Sequence, residues 1–117
     1  MELRLKRVYD DPSADDGWRV LVDRLWPRGL TRQRAALDEW AKEVAPSAEL
    51  RKAWHTAEPA AWDAYADDYR AELAGPSAAA LAELRDELSR HPLVTLVFAA
   101  HDPARNHVVV LREALEG

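Results

Sequence analysis

An apolar run at residues 93–100 is the sequence feature that most constrains the fold. It reads LVTLVFAA, with Thr95 as its only polar residue. A continuous run of this kind is typical of a strand covered on both faces, as in a parallel sheet. Parallel strands need crossover connections and covering layers. The run therefore predicts an α/β domain with this strand near the centre of its sheet.

Two further strands are expected before this run. Residues 3–8 alternate loosely, and residues 18–23 are densely apolar, with a turn-rich loop between them. The remaining chain has a helical period. The expected helices are a short stripe of Leu37, Trp40 and Val44 stopped by Pro46; residues 48–55 capped by Ser47; a helix from Pro59 to Gly75 with the inner stripe Trp62, Tyr65, Tyr69 and Leu73; residues 78–90 capped by Ser77; and a last helix from Asp102-Pro103 to about Glu116.

The last helix has a competing interpretation. Val108-Val109-Val110 locally favours a strand, but Leu111, Ala114 and Leu115 continue a period of 3.6 residues, and we prefer the helix. The order of elements predicts a single layered α/β domain over residues 1–117. Its small, mainly parallel sheet should have three strands and be packed with four to five helices.

Composition excludes several classes of function. The chain has no cysteine, and its four histidines show no HExxH spacing, so we expect no metal site. Its four glycines form neither a P-loop nor a GxGxxG turn, and no GxSxG elbow occurs. We therefore expect no cofactor. The first residues alternate charged and apolar side chains, and no apolar run is long enough to span a membrane. A cytoplasmic protein without a membrane partner is expected.

Charge is distributed unevenly along the chain. The net charge of −5 argues against general binding of nucleic acid. Residues 24–37 nevertheless contain four arginines and no acid, whereas residues 58–73 contain five acids and one arginine. A local basic patch on an acidic protein suits a small anionic ligand better than a long polyanion.

The segment WRVLVDRLWPRG supplies the first candidate site residues. Open parallel sheets bind ligands beyond the carboxyl ends of their strands, where Asp23 and Arg24 are expected. An internal ion pair is the alternative for both residues. Pro27 and Gly29 are expected to hold the backbone at Arg28 in a restricted conformation, which suits recognition of phosphate or carboxylate. A solvated surface arginine remains the alternative.

A second group consists of Lys42, Ser47, Arg51 and His55. Ser47 begins a helix whose free N–H groups could hold an anion. Arg51 and His55 are four residues apart and so share one helical face. The alternative is an ordinary amphipathic helix with solvated charges.

Asn106 and His107 follow the central strand. His107 would be a natural acid or base near neutral pH, and Asp23 and His55 are the other candidate catalytic residues. A histidine at the edge of the core, with its hydrogen bonds satisfied, is the alternative for His107.

These residues carry a family resemblance. The strings DRLWPRGL at 23–30, WAK at 40–42, APS at 45–47, LR at 50–51 and NH at 106–107 resemble the YeaO-like bacterial family, catalogued as domain of unknown function 488. The resemblance runs nearly from end to end and implies a small cytoplasmic α/β protein. It also implies that certain residues form one cluster, namely Arg7, Asp23, Arg24, Arg28, Lys42, Ser47, Arg51 and His107.

The sequence therefore predicts a cationic pocket at the carboxyl edge of the sheet. It would bind a small phosphorylated or carboxylated ligand, with Arg7, Arg24, Arg28, Lys42, Ser47, Arg51 and Asn106 as ligand-binding residues, and could act as a hydrolase or transferase. One rival is a non-catalytic module that contacts a protein or nucleic acid through residues 24–34. Another is a purely internal ion-pair network.

Overall fold

Four parallel strands form the sheet in the part of the chain that the computed structural model describes, residues 2–102 and 105–117. They are β1 (Glu2–Arg7), β2 (Trp18–Leu21), β3 (Glu39–Trp40) and β4 (Leu93–Phe98), in the order β1-β4-β2-β3. The apolar run at 93–100 thus lies between two other strands, as its composition predicts. The α/β class and the parallel sheet are confirmed.

Five α-helices lie in the described residues: α1 (Arg32–Ala35), α2 (Ala48–His55), α3 (Trp62–Ala74), α4 (Ala78–Leu88) and α5 (His107–Glu116). Short 3₁₀ turns occupy Ala14–Asp16, Lys42–Val44 and Pro59–Ala61. The predicted bounds of α2, with Ser47 as its N-cap, are confirmed. Val108 to Val110 lie inside α5, so the helical interpretation of this segment is also confirmed.

The two faces of the sheet bury different partners, because side chains alternate along a strand. Val20 and Leu96 belong to the larger core, which also contains the apolar residues of α2, α3, α4 and α5. Leu21 and Val97, one residue further on, belong to a smaller core with Leu30 and residues of the β2–β3 crossover. The sheet therefore has four helices on one face and the crossover segment on the other.

The sequence predicted three strands, one fewer than the described part of the chain contains. Glu39 and Trp40 were expected in a helical stripe, but they pair with Val20 and Leu21 as β3. The flanking backbone extends this pairing, since the Asp38 N–H donates to the Arg19 carbonyl and the Ala41 N–H to the Leu21 carbonyl. Ladder hydrogen bonds to β2 therefore outweigh the local helical period, and only Lys42–Val44 forms a helical turn.

The start of the last helix was also predicted too early. The helix α5 begins at His107, with Asn106 as the N-cap whose side chain accepts from the Val108 N–H at 2.8 Å. Pro103, the expected first helical residue, lies outside the described residues. Asn106 is as strong an N-cap as Asp102, so local propensity alone does not separate the two positions.

A buried ion network fixes the crossover segment to the sheet. The Asp16 carboxylate accepts from Arg19 at 2.6 Å and from Lys6 at 3.1 Å. The Arg19 guanidinium also donates to the carbonyls of Ala35 and Ala36, at the end of α1. Burial opposes ionisation of Asp16, but hydrogen bonds from the Ser13 N–H, Lys6 and Arg19 outweigh it and hold the pKa of Asp16 below its ordinary value.

We expect Asp16→Asn to lower the free energy of unfolding by about 2 kcal/mol at neutral pH, because Arg19 would keep its burial but lose its counter-charge. A carboxylate with a lowered pKa stabilises the folded state above its unfolded pKa and ceases to do so as pH falls through its folded pKa. The difference from the parent protein should therefore shrink below about pH 4. Urea unfolding across pH would measure this difference.

Asp15→Asn is the matched control, since Asp15 lies in the same turn and is exposed. Equal losses in the two variants, or a difference that stays constant down to acid pH, would contradict the assigned role of Asp16.

Candidate functional site

Asp23 and His107 meet at the carboxyl edge of the sheet, just beyond β2 and β4. The Asp23 Oδ2 accepts from the Ala99 N–H at 2.8 Å. The His107 Nε2 lies 2.9 Å from the Val22 carbonyl oxygen and 3.4 Å from the Asp23 Oδ1. A carbonyl can only accept, so Nε2 carries the hydrogen in this arrangement. Each of the two side chains is 16% exposed, which places the pair at the border between core and solvent.

Burial shifts both members of this pair toward their neutral forms. It raises the pKa of Asp23, against the attraction of His107, the Ala99 N–H and the Arg51 charge. It lowers the pKa of His107, against the attraction of Asp23 and the Val22 carbonyl. The protonation of such a pair responds strongly to any charge placed beside it.

Arg51 adds a positive charge near Asp23. It lies on α2, is partly buried and attracts the Asp23 carboxylate. Its Nε is fully buried and has no hydrogen-bond partner among the described residues, and the same holds for Trp54 Nε1. The two residues are three apart and so share one face of α2. A buried N–H without an acceptor costs about 1–3 kcal/mol, and this face of α2 carries two such donors.

An aromatic wall connects these groups. The Trp54 ring lies 5.8 Å from the Tyr69 ring, and the Tyr69 ring lies 6.0 Å from the His107 ring, both edge to face. Trp62 extends the wall at 5.5 Å from Trp54. The Tyr69 hydroxyl donates to the Val44 carbonyl, and burial raises the pKa of Tyr69, so this wall is uncharged.

Two of the predicted ligand-binding arginines instead donate to backbone carbonyls. Arg24 donates to Pro46 at 2.9 Å and to Ala45 at 3.1 Å, which ties the end of β2 to the segment before α2. Arg7 donates to the carbonyl of Ala100 at 2.9 Å, beyond the end of β4. Each arginine therefore has a structural role. Its partners are backbone carbonyls, whereas the ion-pair alternative supposes a carboxylate.

The helix start at Ser47 is occupied from within the protein. The Ser47 N–H and hydroxyl donate to the Glu72 carboxylate at 2.9 and 2.6 Å, and the Ser47 Oγ accepts from the Leu50 N–H. A carboxylate of α3 thus takes the position where the sequence predicts an external anion. Sequence reasoning missed Glu72, Tyr69 and Trp54 as site residues, although Tyr69 belongs to the predicted inner stripe of its helix.

The other predicted site residues lie apart from this group. Arg28, Lys42 and His55 are exposed, and within residues 2–102 and 105–117 none of them forms a hydrogen bond or ion pair with Asp23 or His107. Asn106 is buried, and its side chain bonds the Val108 N–H and the Asp102 carbonyl. Of the predicted cluster, the structure brings together Asp23, Arg51 and His107.

The larger of the two cavities described, about 550 Å³, is a poor anion site. Arg24 and Ser47 line it, but so do the carboxylates of Glu43, Glu72 and Glu83. The described residues contain no group of three or more histidine or acidic side chains that could hold a metal ion. Nor does any described helix have the length and apolar character needed to cross a membrane.

Comparison with known proteins agrees with the motif strings around Asp23, Ser47 and His107. A family model described as "Inactive DUF488-N3 subclade" matches residues 2–117. The chain belongs to the YeaO-like DUF488 family. It is 44% identical to the uncharacterized protein YeaO of Escherichia coli K12, over 98% of this chain and 97% of that protein. It is 45% identical to the uncharacterized protein Rv3073c of Mycobacterium tuberculosis H37Rv, over 98% of this chain and 94% of that protein. No solved structure matches the chain.

We expect Glu72→Ala to lower the free energy of unfolding by about 1–3 kcal/mol, because the Ser47 N–H and hydroxyl would lose the acceptor that joins α2 to α3. Thermal and urea unfolding would measure the loss. Asp68→Ala is the matched control, since Asp68 is an exposed acid on the same helix. Equal stability of the two variants would show that the Glu72 contact contributes nothing.

Proposed function

We propose that this protein binds a small anion, phosphorylated or carboxylated, beside Arg51, Asp23 and His107. The observation that carries the proposal is the partly buried Arg51 guanidinium, whose Nε has no acceptor among the described residues. Arginine is suited to phosphate and carboxylate because its planar donors match their oxygens. An anion at this position would also give the Trp54 Nε1 an acceptor.

The surroundings of Arg51 support an electrostatic contact with an anion. The rings of Trp54 and Tyr69 form an uncharged wall that would strengthen an electrostatic contact by excluding water, with the His107 ring at its end. The ionised Asp23 would repel an anion, but its raised pKa favours uptake of a proton when a second negative charge arrives. Binding of the anion and binding of a proton should therefore be linked.

Binding without turnover is the better supported form of this function. The family description contains the word "Inactive", and the Asp23 Oδ2 and the His107 Nε2 are engaged with the Ala99 N–H and the Val22 carbonyl. A general base needs a free acceptor that faces the substrate. The proposal therefore keeps the anion site and omits the hydrolase or transferase reaction.

Sulfate provides a direct test, because it is a simple oxyanion that the protein cannot hydrolyse. We expect Arg51→Gln to weaken sulfate binding about 10- to 100-fold in isothermal titration calorimetry, since a charge-assisted hydrogen bond would be lost. Lys52→Gln removes the same charge from the adjacent exposed position of α2 and should bind like the parent protein. Equal affinities of the two variants would refute the site.

Trp54→Phe separates binding from folding. Phenylalanine keeps an aromatic ring against Trp62 and Tyr69 but lacks the Nε1 donor. We expect it to weaken sulfate binding about 5-fold while the melting temperature without sulfate changes little, because the lost donor has no partner among the described residues. A large loss of stability with unchanged sulfate affinity would assign Trp54 to packing alone.

The pH dependence of sulfate binding is a separate prediction. Sulfate keeps the same charge between about pH 8 and 5, whereas the added negative charge raises the pKa of both Asp23 and His107. Proton uptake on binding means that affinity should rise as pH falls. We expect Asp23→Asn to bind sulfate more tightly than the parent protein at pH 7 and with a flatter pH profile. Parallel profiles for the two proteins would show that Asp23 does not face the anion.

A further inference from the structure

A second surface lies on the opposite face of the sheet, where the β2–β3 crossover and β3 meet. The rings of Trp26 and Trp40 contact edge to face at 5.5 Å. The Arg32 guanidinium lies 5.2 Å from the Trp26 ring centre, and the Lys42 Nζ lies 5.1 Å from the Trp40 ring centre. We call these four residues the Trp26–Trp40 strip. It alternates cations and aromatic rings that the pairing of β3 with β2 brings together.

A small cleft of about 190 Å³ opens on this strip. It is lined by Trp26, Arg32, Leu37, Asp38, Glu39 and Trp40. Both of its acids are engaged, because Asp38 accepts from the Arg19 N–H at 2.8 Å and Glu39 from Trp18 Nε1 at 3.5 Å. Both indole N–H groups inside it are also engaged, with the carbonyls of Leu30 and Asp23. The cleft therefore offers aromatic and aliphatic surface to an apolar side chain, with Arg32 and two hydrogen-bonded carboxylates in its lining and Lys42 beside it.

The crossover adds exposed apolar and basic side chains. Leu25, next to Trp26 in the chain, is 57% exposed, and Tyr9 is 37% exposed. The Tyr9 hydroxyl donates to the Arg28 carbonyl at 3.0 Å, which holds Tyr9 against the segment that carries Arg28. In the described part of the chain, no carboxylate forms an ion pair with Arg28, Arg32 or Lys42. These cations stand unpaired on a chain whose net charge is −5.

We propose that this surface docks an acidic segment of a partner protein that carries one large apolar side chain. The apolar side chain would enter the cleft lined by Trp26, Leu37 and Trp40. Flanking carboxylates would pair with Arg28, Arg32 and Lys42. Tryptophan, tyrosine and arginine are the residues that dominate binding energy at protein interfaces. Unpaired cations on an otherwise acidic protein are complementary to a negatively charged segment.

Charge and ring geometry favour this occupant over single-stranded nucleic acid. Base stacking needs open aromatic faces, but Arg32 and Lys42 already lie against the rings of Trp26 and Trp40. A phosphate backbone also needs an extended row of cations, and the net charge of the chain opposes it.

The test uses a fluorescein-labelled peptide rich in aspartate and glutamate with one central leucine, and the same peptide with glycine in place of leucine. We expect fluorescence anisotropy to show binding of the leucine peptide about 10-fold tighter than binding of the glycine peptide. The double variant Arg32→Gln/Lys42→Gln should bind the leucine peptide about 10-fold more weakly. Its sulfate affinity should equal that of the parent protein, so this proposal and the anion site can fail independently.

Arg70→Gln/Arg90→Gln is the matched control, since it removes two exposed arginine charges from α3 and the end of α4. It should bind the leucine peptide like the parent protein, and circular dichroism melts would verify that both double variants fold. The proposal is overturned if the leucine peptide does not bind, if both double variants lose affinity equally, or if an oligothymidylate strand binds more tightly than the peptide.

Discussion

The hydrogen bond from the Ala99 N–H to the Asp23 carboxylate is the contact on which the candidate site depends. The pairing of β2 with β4 ends at Leu21 and Val97, and this bond, together with the one from the Val22 N–H to the Val97 carbonyl, holds the two strand ends together. His107 adds a second link through the Val22 carbonyl, which fixes the start of α5 at the same edge. Parallel strands deliver their carboxyl ends to one edge, so a single carboxylate can organise the segments that leave two of them.

The arginines of this protein show why a count of cations does not define a binding pocket. Segments that leave a parallel sheet expose carbonyl groups that the ladder no longer satisfies, and a guanidinium has five donors to offer them. Arg7 and Arg24 serve this purpose at the ends of β1 and β2. Within the described part of the chain, Arg51 has no such carbonyl bonded to its Nε. Its unsatisfied donor is therefore more informative about a ligand than the larger number of arginines near the strand ends.

The sequence predicts those parts of the structure that local pattern determines. The apolar run at 93–100 and the Ser47 cap carry their information within a few residues, and the structure has both. The strand β3 consists of Glu39 and Trp40 alone, and its stability comes from β2, so a local period cannot reveal it. The bonds of Ser47 to Glu72 and of His107 to Val22 join residues 25 and 85 positions apart. Such pairings arise from packing in three dimensions, which is why Glu72 was missed and His107 was placed near the sheet edge without its partners.

The two proposed surfaces share Asp23, although they lie on opposite faces of the sheet. The Asp23 side chain bonds the Ala99 N–H in the anion site, and the Asp23 carbonyl accepts from Trp40 Nε1 at 2.7 Å in the Trp26–Trp40 strip. The Asp23 carbonyl thereby anchors Trp40 to the end of β2, and Arg51 attracts the carboxylate of the same residue. Asp23, in the turn after β2, therefore has two roles. Its side chain organises the polar edge of the sheet, and its backbone carbonyl orients the Trp26–Trp40 strip on the opposite face. The short strand β3 places Trp40 within reach of that carbonyl, so the element that sequence patterns could not predict is also the one that connects the two surfaces.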